Sequence, residues 1–313
     1  MSADAYGDLK LGRTVAQALR LPVDTPVDVE LLGEIEGSPS RVTLRPTGQP
    51  PRTVIVRTDP QPDVAENNAA VLEVLASRGY PHAPQLLGLA GSAAIEAEVD
   101  GVSGMALALP AGSAEAAIQA FAALHALPVR EGMRWERSPA EWLESDDLPL
   151  FRLGFASDER DAVAEPVRQA IAQLRAGPWG FVHGHATAVE VLLAPGRATL
   201  TEFGRAGFGP QLWDVAAFLL TSGLDGEQRA LLAGRYGAAR GWVPAETAAA
   251  IDLAGILWGI EELLALPRRL IESLGDDVLS ERLQTSAVRI ERGIREPAGN
   301  SAIARQIRAG LWS

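Results

Sequence analysis

Over the first hundred residues the apolar positions fall in short alternating runs broken by turn-forming residues. Val27–Leu32 alternates loosely and is followed by Gly33, Gly37, Ser38, Pro39 and Ser40, which reads as a strand running into a loop. Arg41–Leu44 alternates again, breaks over Pro46–Pro51 and resumes at Thr53–Thr58, where Val54, Ile55 and Val56 form a β-branched run suited to a buried strand. Three antiparallel strands are predicted, with a short helix ahead of them at Leu11–Leu19. At Val64–Arg78 the period changes: Val64, Val71, Leu72, Val74 and Leu75 lie along one helical stripe, and Gly79 is placed to end the helix. A further strand pair, Pro84–Leu89 and Ala94–Val99, completes a β-rich unit over residues 1–100, and Asp100–Gly104 is the expected linker.

Beyond the linker, over residues 101–313, helical periodicity dominates. Helices are predicted at Ser113–Leu127, with Ser113 as its cap, at Ser138–Glu144, and at Ala162–Ala176. Three short strands interrupt them, Gly180–Val182, Val191–Leu193 and Ala198–Glu202, with Pro195 and Gly196 turning the last two into a hairpin. Helices return at Trp213–Ser222, Gly226–Tyr236, Pro244–Leu266 and Leu279–Arg295, and Trp142, Trp179, Trp213, Trp242, Trp258 and Trp312 are expected to pack helices.

Composition narrows the classes of function. The 313 residues suffice for two small cores, and no apolar run approaches the roughly 18 residues of a membrane span. With no basic, apolar leader in the first ten residues, the chain is expected in the cytoplasm, without a membrane partner. A net charge of −12 argues against nucleic acid, whose binding draws on clustered Lys and Arg. The absence of cysteine excludes disulfides, thiolate metal sites and cysteine nucleophiles.

Four islands of sequence carry candidate chemistry. The segment Phe181-Val182-His183-Gly184-His185, with Glu190 five residues on and Val191-Leu192 after it, resembles the catalytic loop of the aminoglycoside phosphotransferase and choline-kinase family, which runs His-Gly-Asp, four residues, Asn, then two apolar positions. Thr201-Glu202-Phe203-Gly204 stands where that family has its Asp-Phe-Gly metal-binding turn, and Trp213-Asp214-Val215-Ala216 is similar to its aromatic-Asp-Leu-Ala helix start. Upstream, Leu124-His125-Ala126-Leu127-Pro128 resembles its Leu-His-x-Leu-Pro element. The resemblance implies an α+β, two-lobed protein-kinase-like fold, with a small β-rich N-lobe and a larger helical C-lobe.

It also implies ATP and Mg²⁺ as cofactors, and it assigns slots that this chain fills with other residues. His185 occupies the slot of the catalytic Asp, where an imidazole can accept a proton near neutral pH. Glu190 and Glu202 stand at the metal-binding Asn and Asp, and keep oxygen ligands while adding length and charge. Arg57 stands for the phosphate-binding lysine, a planar fork in place of a compact ammonium. Its helix glutamate partner would fall at Asn68, with Glu66 two residues away, so either the alignment slips there or the ion pair is gone, and Gly37 and Ser38 belong to a loop able to cap phosphates through backbone amides. His183 is expected to brace the loop, Asp214 to be a helix N-terminal acid or loop brace, and His125 to be a packed or capping histidine.

Three functions are compatible with these residues. The first is a divergent ATP-dependent phosphotransferase acting on a hydroxyl of a small molecule or peptide, including a place in lanthipeptide-type natural-product biosynthesis beside a partner enzyme. The second is a catalytically inactive pseudokinase that binds or scaffolds a partner enzyme. The third makes His183, His185 and Glu190 a hydrolytic metal site.

Overall fold

A computed structural model of the chain describes residues 3–22, 24–32, 39–59, 61–91, 93–106, 109–128, 157–272 and 277–311. The chain divides into two compact units, Met1–Asp100 with Thr201–Arg205, and Gly101–Leu200 with Ala206–Ser313.

The first unit is a five-stranded antiparallel sheet with two helices. Strands β1 (Val27–Leu31), β2 (Ser40–Leu44), β3 (Arg52–Arg57), β4 (Leu86–Ala90) and β5 (Ala93–Ala97) lie in the order β1-β2-β3-β5-β4. Helix α1 (Ala3–Ala18) begins well before the expected Leu11. It places Val15 and Ala16 on Val42, Leu44, Val54, Val56 and Ile95, and this cluster is the unit's core. Because side chains alternate across a strand, Ile55 and Arg57 point to the opposite face from Val54 and Val56. Helix α2 (Pro62–Ser77) packs against β4 and β5. It ends as Gly79 takes φ +68, with Tyr80 N–H donating to Leu75 O at 3.0 Å, a closure that favours glycine.

The second unit is largely helical. After β6 (Val102–Ser103) come α3 (Ser113–His125), α4 (Ser157–Ala176), β7 (Trp179–Val182), β8 (Val191–Ala194), β9 (Arg197–Leu200), β10 (Gly207–Pro210), α5 (Gln211–Thr221), α6 (Gly226–Ala239), α7 (Pro244–Glu272), α8 (Asp277–Arg295) and α9 (Ala302–Leu311). Every residue of α5 is buried, and α3, α7 and α8 pack around it. The hairpin turn falls on Pro195 and Gly196, as the register Ala194 to Arg197 requires.

Several details differ from the sequence expectations. Ser113 does not cap α3: Gly112 holds the cap position, and the Ser113 hydroxyl donates back to Pro110 O at 2.6 Å. Trp179 sits on a strand and is 37% exposed against Phe208, while Trp213 and Trp258 are buried among helices. Helix α9, absent from the expected elements, buries Ala304, Ile307 and Leu311 at helical spacing and is tied to α7 by a two-pronged Arg308–Asp252 ion pair at 2.6 and 3.0 Å. The predicted helix at Ser138–Glu144 and residues Gly37 and Ser38 lie outside the described residues, as do Trp142 and Trp312. Among the described residues no helix is long and apolar enough to cross a membrane.

Candidate active site

In the second unit, β7 delivers the chain to Gly184, whose φ of +80 turns it sharply between two histidines. The turn is fixed by Asp214, in the first turn of α5. Its carboxylate accepts from His183 N–H at 2.6 Å and Gly184 N–H at 3.0 Å, and lies 3.1 Å from His125 Nε2. His125 Nδ1 meets the Tyr236 hydroxyl at 2.7 Å, and burial pushes that phenol's pKa up. His125, Asp214 and the backbone at His183 therefore form a buried brace.

Beyond the brace the loop presents its reactive groups. His185 Nδ1 lies 3.3 Å from Glu190 Oε1; the imidazole is 32% exposed and the carboxylate only 6%. The other carboxylate oxygen accepts from the Thr187 hydroxyl. A tight turn brings these residues together, with Glu190 N–H donating to Thr187 O at 3.1 Å, and Ala188 N–H is held by the Thr221 hydroxyl of α5 at 2.8 Å. Burial alone would push Glu190 towards its neutral form. The charge of His185 and hydrogen bonds from His185 and Thr187 outweigh that, and its pKa is held below the ordinary 4.5. An ionised, buried carboxylate facing Nδ1 fixes the tautomer and orientation of the ring.

In the first unit, Arg57 is clasped by two carboxylates. Nε donates to Glu96 Oε2 at 2.9 Å and Nη1 to Glu202 Oε1 at 2.7 Å. Glu96 stands opposite Ile55 in the β3–β5 register, so Arg57, two residues on, shares its face of the sheet. Asn68 of α2 donates to the other oxygen of Glu96 at 2.9 Å. Glu66 is exposed on α2, and a carboxylate that holds Arg57 beside Asn68 comes from β5. Only a charged residue within the apolar run Ala93-Ala94-Ile95-Glu96-Ala97 hinted at it in the sequence.

Glu202 has a left-handed backbone, φ +65, which costs a non-glycine residue roughly 1–2 kcal/mol. The turn after it is fastened to α2 by Asn67 Nδ2, which donates to Gly204 O at 3.0 Å. A side chain on Gly204 would meet Val64 O at 2.9 Å, so the glycine of this motif is required by packing.

These groups suit a nucleotide and a metal unequally. Arg57 offers the donor fork that phosphate oxygens need, although its cluster with Glu96 and Glu202 already carries excess negative charge. Mg²⁺ demands several unencumbered oxygen ligands in near-octahedral array. Glu202 faces a guanidinium, and both Glu190 oxygens face protein donors. Among the described residues no group of three or more His, Cys, Asp or Glu is gathered to hold a metal. Within either unit, then, the described residues gather no metal site, which gives no support to the hydrolytic metal reading of His183, His185 and Glu190.

Similarity to known proteins bears on the fold and the family. Among solved structures the chain resembles a macrolide 2'-phosphotransferase type I, at 18% identity and TM-score 0.59 over 92% of this chain and 98% of that one. It also resembles the choline kinase LicA from Streptococcus pneumoniae, at 15% and 0.58 over 86% and 93%. A choline/ethanolamine kinase family protein from Mesorhizobium loti matches at 17% and 0.51 over 91% and 92%. These likenesses establish the protein-kinase-like α+β fold. Among curated protein sequences none matches the chain. The model of the phosphotransferase enzyme family, by contrast, matches residues 32–250, a span that contains the braced loop, the Glu202 turn and Arg57. The chain belongs to the phosphotransferase enzyme family.

Proposed function

We propose that the protein transfers a phosphoryl group from ATP to a hydroxyl of a small molecule or peptide, with the His185–Glu190 pair in place of a carboxylate base. One observation carries this: the two departures in the loop, at the slots of Asp and Asn, lie in contact at 3.3 Å and make chemical sense together. In the neutral ring with Nδ1–H turned to the ionised Glu190, Nε2 carries the lone pair that takes a proton, and the imidazolium so formed is the charged partner that lowers the Glu190 pKa. It would take the acceptor's O–H proton as that oxygen bonds to the terminal phosphorus of ATP, the bond to the β-phosphate oxygen breaks, and ADP departs. Arg57 would meet the donor's phosphates, exchanging Glu202 for phosphate oxygens. A solved structure of LicA in complex with AMP is similar to this chain, which with the family match supports a nucleotide as donor; ATP with Mg²⁺ is the form taken in this proposal.

A second function has an observation of its own. Glu190 and Glu202 each already face a protein partner, His185 and Arg57, which is compatible with a pseudokinase that binds or scaffolds a partner. One experiment separates the two. The protein is incubated with labelled ATP, Mg²⁺ or Mn²⁺, and a panel of hydroxyl acceptors. Transfer that falls by about 10²–10⁴ in His185→Gln, with a pH profile displaced in Glu190→Gln, supports the enzyme. No transfer to any acceptor, and no gain from His185→Asp, leaves the scaffold.

A further inference from the structure

We propose that a cavity in the second unit, between the residues after β6, the end of α5 and helix α8, binds the anionic group of the acceptor: a carboxylate or phosphate monoester on a hydroxyl-bearing small molecule. The cavity is about 210 Å³, far above the roughly 10–15 Å³ one water needs. Met105, Ser222, Gly223, Arg289, Arg292 and Glu296 are among its lining.

The charge in this lining is unbalanced. Arg289 is half-buried, and its contact is a long hydrogen bond from Nη1 to Met105 O, 3.4 Å. Among the described residues no carboxylate lies within ion-pair reach of it, although the chain carries a net charge of −12. A partly desolvated guanidinium without a counter-charge is unfavourable, and a bound anion relieves it. Arg292, exposed, adds a second guanidinium. Glu296 also lines the cavity, but it is turned to Arg292 Nε at 2.8 Å and lies 3.8 Å from Arg229 Nη2. The preference for an anion therefore rests on the Arg289 fork, with the Nη groups of Arg292, whose Nε is held by Glu296, as a second donor set; guanidinium forks match carboxylate and phosphate.

Two walls of the cavity are fastened to the loop that carries His185. Ser103, just before Met105, donates through its hydroxyl to Ala188 O at 3.3 Å. Thr221, just before Ser222, accepts from Ala188 N–H. Gly104 N–H donates to Val191 O at 2.9 Å, and a side chain on Gly104 would strike Ala188 O. An anion held here is thus registered to the loop of the candidate base. That the ligand is the acceptor rests on the proposed phosphotransferase activity; that the cavity binds an anion does not.

The test is thermal melting of the full chain, at constant ionic strength, with glycerol 3-phosphate, glycerate, glycerol and choline, and with inorganic phosphate and acetate to tell which anionic group is preferred. A melting shift that grows with the logarithm of anion concentration, is absent with glycerol and choline, and demands at least tenfold more anion in Arg289→Ala is the expected result. Arg292→Gln, at an exposed position that does not threaten folding, should weaken the same shift several-fold. Equal shifts with glycerol or choline, or anion shifts unchanged in Arg292→Gln and in any folded Arg289 variant, overturn the proposal. If the anion shift follows Arg289 but labelled ATP yields no product, the cavity stands and the phosphotransferase activity falls. Transfer to neutral or cationic alcohols without any anion shift does the opposite: the activity stands and the anion site falls.

Discussion

Asp214 and Glu190 are both buried carboxylates that serve one loop, and they serve it differently. Asp214 accepts from two backbone N–H groups and sits beside the His125 ring, so its oxygens determine where the chain runs. Glu190 meets the side chains of His185 and Thr187, so it bears on what the loop presents. Asp214 therefore braces the backbone, while Glu190 orients a half-exposed imidazole, and the two carboxylates can be perturbed separately.

The largest expected effect tests the bracing half. Asp214→Ala leaves the buried His183 N–H and the half-buried Gly184 N–H without this acceptor, and should cost about 3–5 kcal/mol in urea unfolding. Asp214→Asn retains oxygen on one side and should cost clearly less. A loss under about 1 kcal/mol for Asp214→Ala would show that the loop is held elsewhere and would dissolve the contrast.

A smaller, pH-dependent effect tests the reacting half. Glu190 has a folded pKa below its ordinary 4.5, so its ionised form stabilises the folded state above that value, and the contribution fades as pH falls through the lowered pKa. Glu190→Gln should therefore lose about 1–3 kcal/mol near pH 7, and the two proteins should converge as the pH drops below 4.5. Urea midpoints measured from pH 8 down to pH 3 check this. Parallel curves across that range would mean that Glu190 is not held ionised by His185.

The parts of this arrangement that were legible in the sequence are those set by local pattern. The β-branched run Val54-Ile55-Val56, the stripe of α2 and the Pro195-Gly196 turn each announce themselves within a few residues. The catalytic-loop spacing from His183 to Glu190 was legible too, including which residues depart. The partner of Arg57 was not, because it depends on the β3–β5 register, which places Glu96 diagonally across from Arg57 through pairings 39 residues apart in the chain. Helix α9 was missed since its apolar stripe of Ala304, Ile307 and Leu311 is sparse in a short segment rich in arginine. The cavity beside Arg289 escapes any linear reading, being assembled from segments more than a hundred residues apart.

The smallest expected effect concerns a third carboxylate, Glu202, which extends the contrast to the first unit. It is 43% exposed, so its 2.7 Å ion pair with Arg57 is partly screened by solvent and contributes about 0–1 kcal/mol. Against that stands a left-handed backbone at φ +65, which asparagine adopts more readily than glutamate. In Glu202→Asn the two changes nearly cancel, and stability should stay within about 1 kcal/mol of the parent or rise slightly. Melting shifts with ATP and Mg²⁺ should nonetheless change, because the guanidinium of Arg57 loses the carboxylate it must exchange for phosphate. If Glu202→Asn instead destabilises the first unit as Asp214→Ala destabilises the second, then Glu202 is a brace, and its left-handed backbone has a structural cause.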